Sequence, residues 1–228
     1  MQTGRLYMVL APTLNDRPDW RYLLNEIYWV YRHSSSGGSR PIRSHHRLVR
    51  QRLNRAIAQN PFVLERRPRT KPVCAHLGRA IDNGKRFGPG ALVRSVETVT
   101  PDLVWRYGYR VMPGKLGEKY AYAEFMGPMG PVMADDLVLG CVLFAPRTIY
   151  PSHAHRGVTE SYICISGAMS QNDVAVYTPG SMIVNTPDFD HKITTCALEP
   201  TLLVYAWTGS TADLAEQEMA FRRPARRS

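Results

Sequence analysis

The sequence contains no apolar run that is long enough to cross a lipid bilayer. The first apolar run, LYMVLA at residues 6–11, is too short to span a bilayer and also too short for the core of a signal peptide, and charged residues follow it closely. Apolar residues make up 44% of the 228 positions and charged residues 21%, a composition that excludes disorder over most of the chain. These features predict a soluble, cytoplasmic protein that has no membrane partner.

Closely spaced cysteines are missing as well. The four cysteines, Cys74, Cys141, Cys164 and Cys196, stand far apart and form no CxxC pair. This spacing excludes a zinc ribbon and a dithiol redox motif. Because no export signal is recognisable, we expect four reduced thiols.

Acidic residues are scarce in the first half of the chain. Lysine and arginine outnumber aspartate and glutamate by 13 over residues 1–130, whereas residues 131–210 have a net charge of −4. A basic region can attract nucleic acid, but these arginines are scattered along segments with helical periodicity. The first two predicted helices are also about a dozen residues apart, whereas a helix-turn-helix needs a turn of three or four. We therefore expect no nucleic-acid partner.

Hydrophobic periodicity predicts helices in this basic half. Residues 19–32 place their leucines and two of their tyrosines on one stripe, and the run SSSGGSRP at 34–41 ends this helix. A second helix is predicted over 44–59 and ends before Pro61. A third is predicted over 89–99.

The pattern changes from about residue 119 onward. Short runs of β-branched and aromatic residues alternate there with Gly, Pro, Asn and Asp, at a spacing of roughly 8–12 residues that is typical of a sandwich or barrel. The predicted domains are a mainly helical region over 1–118, a β-barrel over 119–210, and a C-terminal helix with a basic tail over 211–228. We expect the helical region to pack on the barrel beside its mouth, where it covers the opening or forms a dimer contact.

The segment YPSHAHRGVTESYICISG at 150–167 contains the residues of a metal site. His153 and His155 alternate along a predicted strand and so share a face, Glu160 begins the next strand, and His191 lies in a later turn. Three imidazoles and one carboxylate suit a divalent transition metal (Zn, Fe, Mn, Ni or Co) and leave coordination positions open. Open positions indicate catalysis, because structural zinc sites are closed.

The spacing HxHxxxxE, completed by Gly167, is more specific than a pair of histidines. Together with PGSMIVNTPDFDH at 179–191, it resembles the two motifs of the cupin superfamily. The resemblance implies a mostly β fold built on a double-stranded β-helix barrel and, since cupins often dimerise, a possible homodimer. The second motif departs from the common PxGxxH, because His191 follows Pro187 by four residues and Phe189 replaces the glycine. We expect the remaining histidines to be ordinary packed or exposed side chains: His33, His45, His46 and His76.

Four longer strings resemble a narrower family. They are GGSRPIRSHHRLVR at 37–50, WRYGYRVMPGKLGEKYAYAEFMGPMGPV at 105–132, LVLGCVLFAPRTIYPSHAHRGVTESYI at 137–163 and LLVYAWTG at 202–209. These strings resemble the cupin-type dimethylsulfoniopropionate (DMSP) lyases, specifically the DddL group, and the likeness extends over most of the chain, including the helical part. The resemblance implies a carbon–sulfur lyase that cleaves DMSP to dimethyl sulfide and acrylate.

β-Elimination needs a base that removes a weakly acidic proton next to a carboxylate. Tyr162 lies two residues after Glu160, so both share one face of a strand, and the matching tyrosine of the family is the proposed general base. Tyrosine has a solution pKa of about 10, which a neighbouring dication lowers. Tyr150 matches another active-site tyrosine of the family, which orients the substrate or shares the proton transfer. Barrel packing with a satisfied hydroxyl is the alternative for both.

The sulfonium group of DMSP is a cation, and aromatic faces bind such cations with about 0.5–2 kcal/mol each. Alternation along LLVYAW places Tyr205 and Trp207 on one face of a strand. Core packing is the alternative for every aromatic residue of the barrel. The candidate substrate-binding residues are Tyr120, Tyr122, Tyr205 and Trp207, with Phe144 in the same pool.

Two other functions fit the same residues. A metal cupin isomerase or dioxygenase that acts on another small acid shares the motif, although a dioxygenase consumes oxygen and elimination is redox-neutral. A ligand sensor would couple the cupin pocket to a basic DNA-binding part, and the spacing of the predicted helices argues against it.

Overall fold

The computed structural model describes residues 11–34, 37–109, 112 and 114–216. Among these residues, no helix has both the length and the apolar character that crossing a bilayer requires. The predicted basic tail from residue 217 lies outside the described residues, as does most of the LYMVLA run. The described helices are α1 (Pro18–His33), α2 (Arg40–Gln59), α3 (Leu77–Phe87), α4 (Gly90–Val99), α5 (Leu116–Lys119) and α6 (Thr211–Ala215).

Ten strands occupy the second half of the described chain. They are β1 (Tyr120–Gly127), β2 (Val132–Met133), β3 (Val138–Phe144), β4 (Ile149–His153), β5 (Thr159–Ser166), β6 (Met169–Gln171), β7 (Ala175–Tyr177), β8 (Met182–Asn185), β9 (His191–Thr195) and β10 (Thr201–Thr208). One sheet has the strand order β2-β1-β3-β10-β5-β8, and the other has the order β4-β9-β6-β7. The pairing is antiparallel except between β1 and β2.

The six-stranded sheet is buried on both faces, and alternating residues of its strands belong to two separate cores. On β5, Ile163 and Ile165 pack in one core with the helices, while Tyr162 and Cys164 pack in the other. The first core lies between the sheet and α1 to α4, and the second lies between the two sheets. Burial on both faces explains why a strand such as β3 is a continuous apolar run.

Helices that precede a β-barrel confirm the predicted fold class. The four long helices pack on the outer face of the six-stranded sheet, so the expectation that they lie beside the barrel mouth is wrong. Tyr109 and Leu116, which precede β1, do join the core between the sheets. The expected division of the chain at residue 118 stays a prediction.

Helix α3 is absent from the sequence-based prediction, because Gly78 and Gly84 weaken its helical signal. The structure explains Gly84: a Cβ atom there would lie 2.8 Å from the backbone oxygen of Ile165 and 3.0 Å from the Val93 side chain. The absence of a side chain lets α3 approach β5 closely. Gly78 faces open space, with no atom within 4 Å of a Cβ at that position.

We expect Gly84→Ala to lower the free energy of unfolding by about 1–3 kcal/mol, because the added methyl group pushes α3 away from Ile165. Gly78→Ala is the matched control in the same helix. It should raise the free energy of unfolding by roughly 0.4–1 kcal/mol, since alanine loses less conformational entropy than glycine on folding. Urea denaturation measures both changes, and equal stability of the two variants would contradict this account of α3.

Candidate metal centre and aromatic cavity

The four predicted metal ligands come together between the two sheets. His153 is the last residue of β4 and pairs across the ladder with His191, which is the first residue of β9. Glu160 is the second residue of β5 and pairs with Trp207 on β10. His155 lies beyond the end of β4, so the expectation that it alternates with His153 along one strand is wrong. His191 is the first residue of β9, so the expectation that it lies in a turn is also wrong.

The three histidines and the glutamate form a compact, buried cluster. One nitrogen from each of His153, His155 and His191 lies within 4.8 Å of the other two. The Glu160 carboxylate is 3.5 Å from Nε2 of His155 and 3.0 Å from Nε2 of His191. The side chains of Glu160 and His191 are 2% and 1% exposed, so bulk water does not solvate their charges.

Two backbone carbonyls orient the histidine rings. Nδ1 of His153 donates to the carbonyl oxygen of Pro151 at 2.9 Å, and Nδ1 of His191 donates to that of Phe189 at 3.1 Å. A carbonyl only accepts, so a neutral ring keeps its proton on Nδ1 and its lone pair on Nε2. Among the described residues, Nε2 of His155 is buried without a hydrogen-bond partner, and Nε2 of His191 faces the Glu160 carboxylate at 3.0 Å. Buried imidazole nitrogens that converge in this way fit a divalent transition metal.

Burial sets the protonation of the cluster. It lowers the pKa of His153 to about 3, with His191 acting in the same direction, and it lowers the pKa of His155. For His191, the contact with Glu160 outweighs burial and raises the pKa. Burial alone would raise the pKa of Glu160, but His155 and His191 lower it overall, so the carboxylate is ionised. A metal would therefore meet one carboxylate and mostly neutral imidazoles, the forms that act as ligands.

Donors from the two strands beside β5 hold the Glu160 carboxylate in place. Nε1 of Trp207 donates to Oε1 at 2.7 Å, and Nδ2 of Asn185 donates to Oε2 at 3.2 Å. Gln171 in turn donates to the side-chain oxygen of Asn185 at 2.9 Å. Sequence reasoning missed Asn185 and Gln171. In the sequence, each is only a polar residue at the end of a short strand. Their role becomes recognisable only once the pairing of β8 with β5 places Asn185 opposite Glu160.

A narrow aromatic cavity of about 30 Å³ lies beside the cluster, which is room for about two water molecules. The Tyr205 ring lies over Gly140, where a side chain would collide with it. The Tyr205 hydroxyl is buried without a hydrogen-bond partner in the described part of the chain, so it is free to bind a polar group in the cavity. The predicted aromatic residues all line this cavity: Tyr120, Tyr122, Phe144, Tyr150, Tyr162, Tyr205 and Trp207.

Tyr162 lies on the same face of β5 as Glu160, and its ring centroid is 6.3 Å from that of His191. Burial raises the pKa of Tyr162 well above its usual value, and the charge of Glu160 and a hydrogen bond to Glu160 act in the same direction. Without a metal the hydroxyl is therefore protonated.

Tyr150 packs edge-on against His153, with ring centroids 4.7 Å apart. Its hydroxyl belongs to a hydrogen-bonded group with Tyr109 and Tyr120, and the ring centroids of Tyr150 and Tyr120 are 4.6 Å apart. Burial raises the pKa of Tyr150 well above its usual value. Sequence reasoning missed Tyr109, which precedes the barrel strands and lies in the string at 105–132 that resembles the family.

The indole N–H of Trp207 donates a hydrogen bond to Glu160. The contribution of this hydrogen bond to stability can be measured. We expect Trp207→Phe to lower the free energy of unfolding of the metal-free protein, with about 1.5–3 kcal/mol coming from the lost hydrogen bond to a charged group. A double-mutant cycle with Glu160→Leu separates this part from the smaller ring volume. A coupling energy near zero in urea denaturation would show that the hydrogen bond does not stabilise the site.

The chain is similar in sequence to proteins of one family. The model of the dimethylsulfoniopropionate lyase family matches residues 44–203. A protein of Cereibacter sphaeroides that carries the name dimethylsulfoniopropionate lyase DddL is 51% identical over 211 residues, which cover 92% of this chain and 91% of that protein.

Two solved structures share the fold. The DMSP lyase DddQ from Ruegeria pomeroyi DSS-3 has a TM-score of 0.60 at 15% identity, covering 84% of this chain and 92% of its own. A chain from the crystal structures of the DMSP lyases RdDddP and RnDddQII has a TM-score of 0.61 at 19% identity, covering 91% of this chain and 99% of its own. The family match and the 51% identity establish the relationship: the chain belongs to the dimethylsulfoniopropionate lyase family, a family of carbon–sulfur lyases.

Proposed function

We propose that the protein is a metal-dependent lyase that cleaves DMSP to dimethyl sulfide and acrylate by β-elimination, with Tyr162 as the general base. The observation that carries the proposal is the convergence of two buried histidines, one half-buried histidine and an ionised glutamate beside a cavity with aromatic walls. Membership of the DMSP lyase family supplies the substrate.

The proposed metal ligands are His153, His155, Glu160 and His191. Nitrogen and carboxylate ligands suit several divalent transition metals, so zinc, iron, manganese, nickel and cobalt all fit. When bound, such an ion would supply positive charge that attracts the substrate carboxylate and favours the deprotonated form of a nearby tyrosine. The donors Trp207 and Asn185 would keep the Glu160 carboxylate in place as substrate enters.

Tyr162 is proposed to remove the proton from the carbon next to the substrate carboxylate. The C–H electron pair becomes the C=C bond of acrylate, and the bond between the β-carbon and sulfur breaks. Its electron pair leaves with the sulfur, which turns the sulfonium into neutral dimethyl sulfide. The proton moves to the phenolate oxygen of Tyr162, and release to water restores the base.

The other cavity tyrosines are proposed to position the substrate. The Tyr205 hydroxyl is buried and lacks a partner among the described residues, so it can donate to the substrate carboxylate. Tyr150, next to His153, is proposed to orient the substrate or to share the proton transfer. The faces of Tyr120, Tyr122 and Trp207 are proposed to surround the sulfonium group through cation–π contacts.

The reaction is tested by measuring dimethyl sulfide in the headspace over purified protein and DMSP under nitrogen. We expect release without oxygen, because elimination is redox-neutral. A chelator should abolish release, and added divalent metal should restore it. Absence of release with each of the five metals would contradict the proposal, whereas a requirement for oxygen would indicate a dioxygenase.

Tyr162→Phe should lower kcat by about 10²–10⁴-fold, the contribution that general-base catalysis makes. Zinc content should remain that of the wild type, because tyrosine is not a proposed ligand. Tyr177→Phe is the matched control: Tyr177 packs against the same core but does not line the cavity, so kcat should be unchanged. Full activity of metal-loaded Tyr162→Phe would assign the base to another residue.

A further inference from the structure

Helix α2 contributes a buried histidine to the sheet that carries the site. Nε2 of His45 lies 2.7 Å from Oγ of Ser161 on β5, and Nδ1 of His45 lies 3.0 Å from Oγ1 of Thr208 on β10. The hydroxyl of Tyr31, on α1, lies 2.5 Å from the same Ser161 oxygen. His45, Ser161 and Thr208 are each less than 5% exposed. One side chain thus bridges two strands from the outer face of the sheet.

The network lies directly behind the proposed site. Ser161 follows Glu160 on β5 and Thr208 follows Trp207 on β10, so in each strand the two neighbours point to opposite faces. Glu160 and Trp207 are partners in the ladder, and their side chains are joined at 2.7 Å on the cavity face. His45 therefore ties together, from behind, the two strands that the Glu160–Trp207 hydrogen bond joins in front.

The ladder needs support at this place because it ends there. Thr208 with Thr159 is the last pair between β10 and β5, and Trp207 with Glu160 is the pair before it. Ends of strands open more easily than their centres, since fewer hydrogen bonds hold them. Gly209, which follows β10 immediately, has no side chain, although its carbonyl oxygen accepts a hydrogen bond from Nη1 of Arg52 at 3.3 Å.

The hydrogen bonds of the network can be satisfied together with His45 neutral. Tyr31 then donates to Ser161, Ser161 donates to Nε2 of His45, and Nδ1–H of His45 donates to Thr208. Burial lowers the pKa of His45 to about 3, which agrees with a neutral ring. A serine beside a histidine also occurs in hydrolases, but Ser161 is 0% exposed and has no access to a substrate.

We propose that His45 is a positioning residue, which holds the ends of β5 and β10 together so that Glu160 and Trp207 keep their contact. It acts through the backbone of the two strands and touches neither the proposed metal ligands nor the cavity. The inference rests on the proposed function of Glu160 as a metal ligand. It assigns a role in the site to the helical region that packs outside the barrel.

Thr208→Val tests the proposal, because valine keeps the shape of threonine and removes only the hydroxyl that His45 binds. We expect kcat to fall about tenfold or more, since small displacements of catalytic groups have effects of this size, while KM changes less than about threefold. The affinity for Zn²⁺, measured without substrate by competition with a chromogenic chelator, should also fall about tenfold. Thr208→Ser restores the hydroxyl and should restore both values.

Val49→Ala controls for a loss of stability alone. Val49 lies one turn after His45 on α2 and is fully buried, so its truncation should lower the melting temperature while kcat and Zn²⁺ affinity stay at wild-type values. The proposal is overturned if Thr208→Val matches Thr208→Ser in both values. It is also overturned if Val49→Ala and Thr208→Val have the same melting temperature and lose the same amount of activity and Zn²⁺ affinity.

Failure of the proposed function gives a different result. Wild-type protein that releases no dimethyl sulfide, or binds no Zn²⁺, overturns the lyase proposal. Crystal structures of the two Thr208 variants then decide the inference. In the wild type, Nε1 of Trp207 lies 2.7 Å from Oε1 of Glu160. This distance should increase in Thr208→Val and stay unchanged in Thr208→Ser. Equal distances in the two variants would overturn the inference about His45.

Discussion

The structure depends on one sheet that is buried on both of its faces. Because side chains alternate along a strand, each strand must supply apolar residues to the helices on one side and cavity residues to the other. On β10, Val204 and Ala206 face the helices, while Tyr205 and Trp207 face the cavity. A shift of one residue in the pairing would exchange these faces, so packing against the helices also determines which side chains reach the site.

This constraint makes it possible to keep a charged carboxylate inside an aromatic cavity. Burying a single ionised carboxylate is costly unless it is paired and hydrogen-bonded. Glu160 meets this requirement with donors from two neighbouring strands, Trp207 and Asn185, and with close contacts to His155 and His191. Each partner comes from a different segment of the barrel, so the cost of burying the charge is offset only when the segments are assembled correctly. The arrangement of the site and the completeness of the fold are therefore coupled.

The sequence predicted the features that short-range patterns determine. Helices α1, α2 and α4 follow from their helical periodicity. The grouping of Glu160 with His153 and His155 follows from their spacing within eight positions of the chain. Features that depend on which segments meet were not predictable. Helix α3 contains glycine where it approaches β5, Asn185 and Gln171 matter only because of strand pairing, and His45 was predicted to be an ordinary packed side chain. In each case the deciding partner is distant in the chain.

The charges of the site also explain why a zwitterion is a suitable substrate for the proposed function. With all three imidazoles in the neutral form that binds metal, the ionised glutamate gives the ligand set a charge of −1, and a divalent ion among them would change it to +1. A net positive centre attracts the carboxylate of DMSP, while the uncharged aromatic walls accept its sulfonium group. Burial keeps the hydroxyls of Tyr150 and Tyr162 protonated without a metal. The same ion that attracts the carboxylate would then favour the phenolate, so binding of the substrate and activation of the base depend on a single charge.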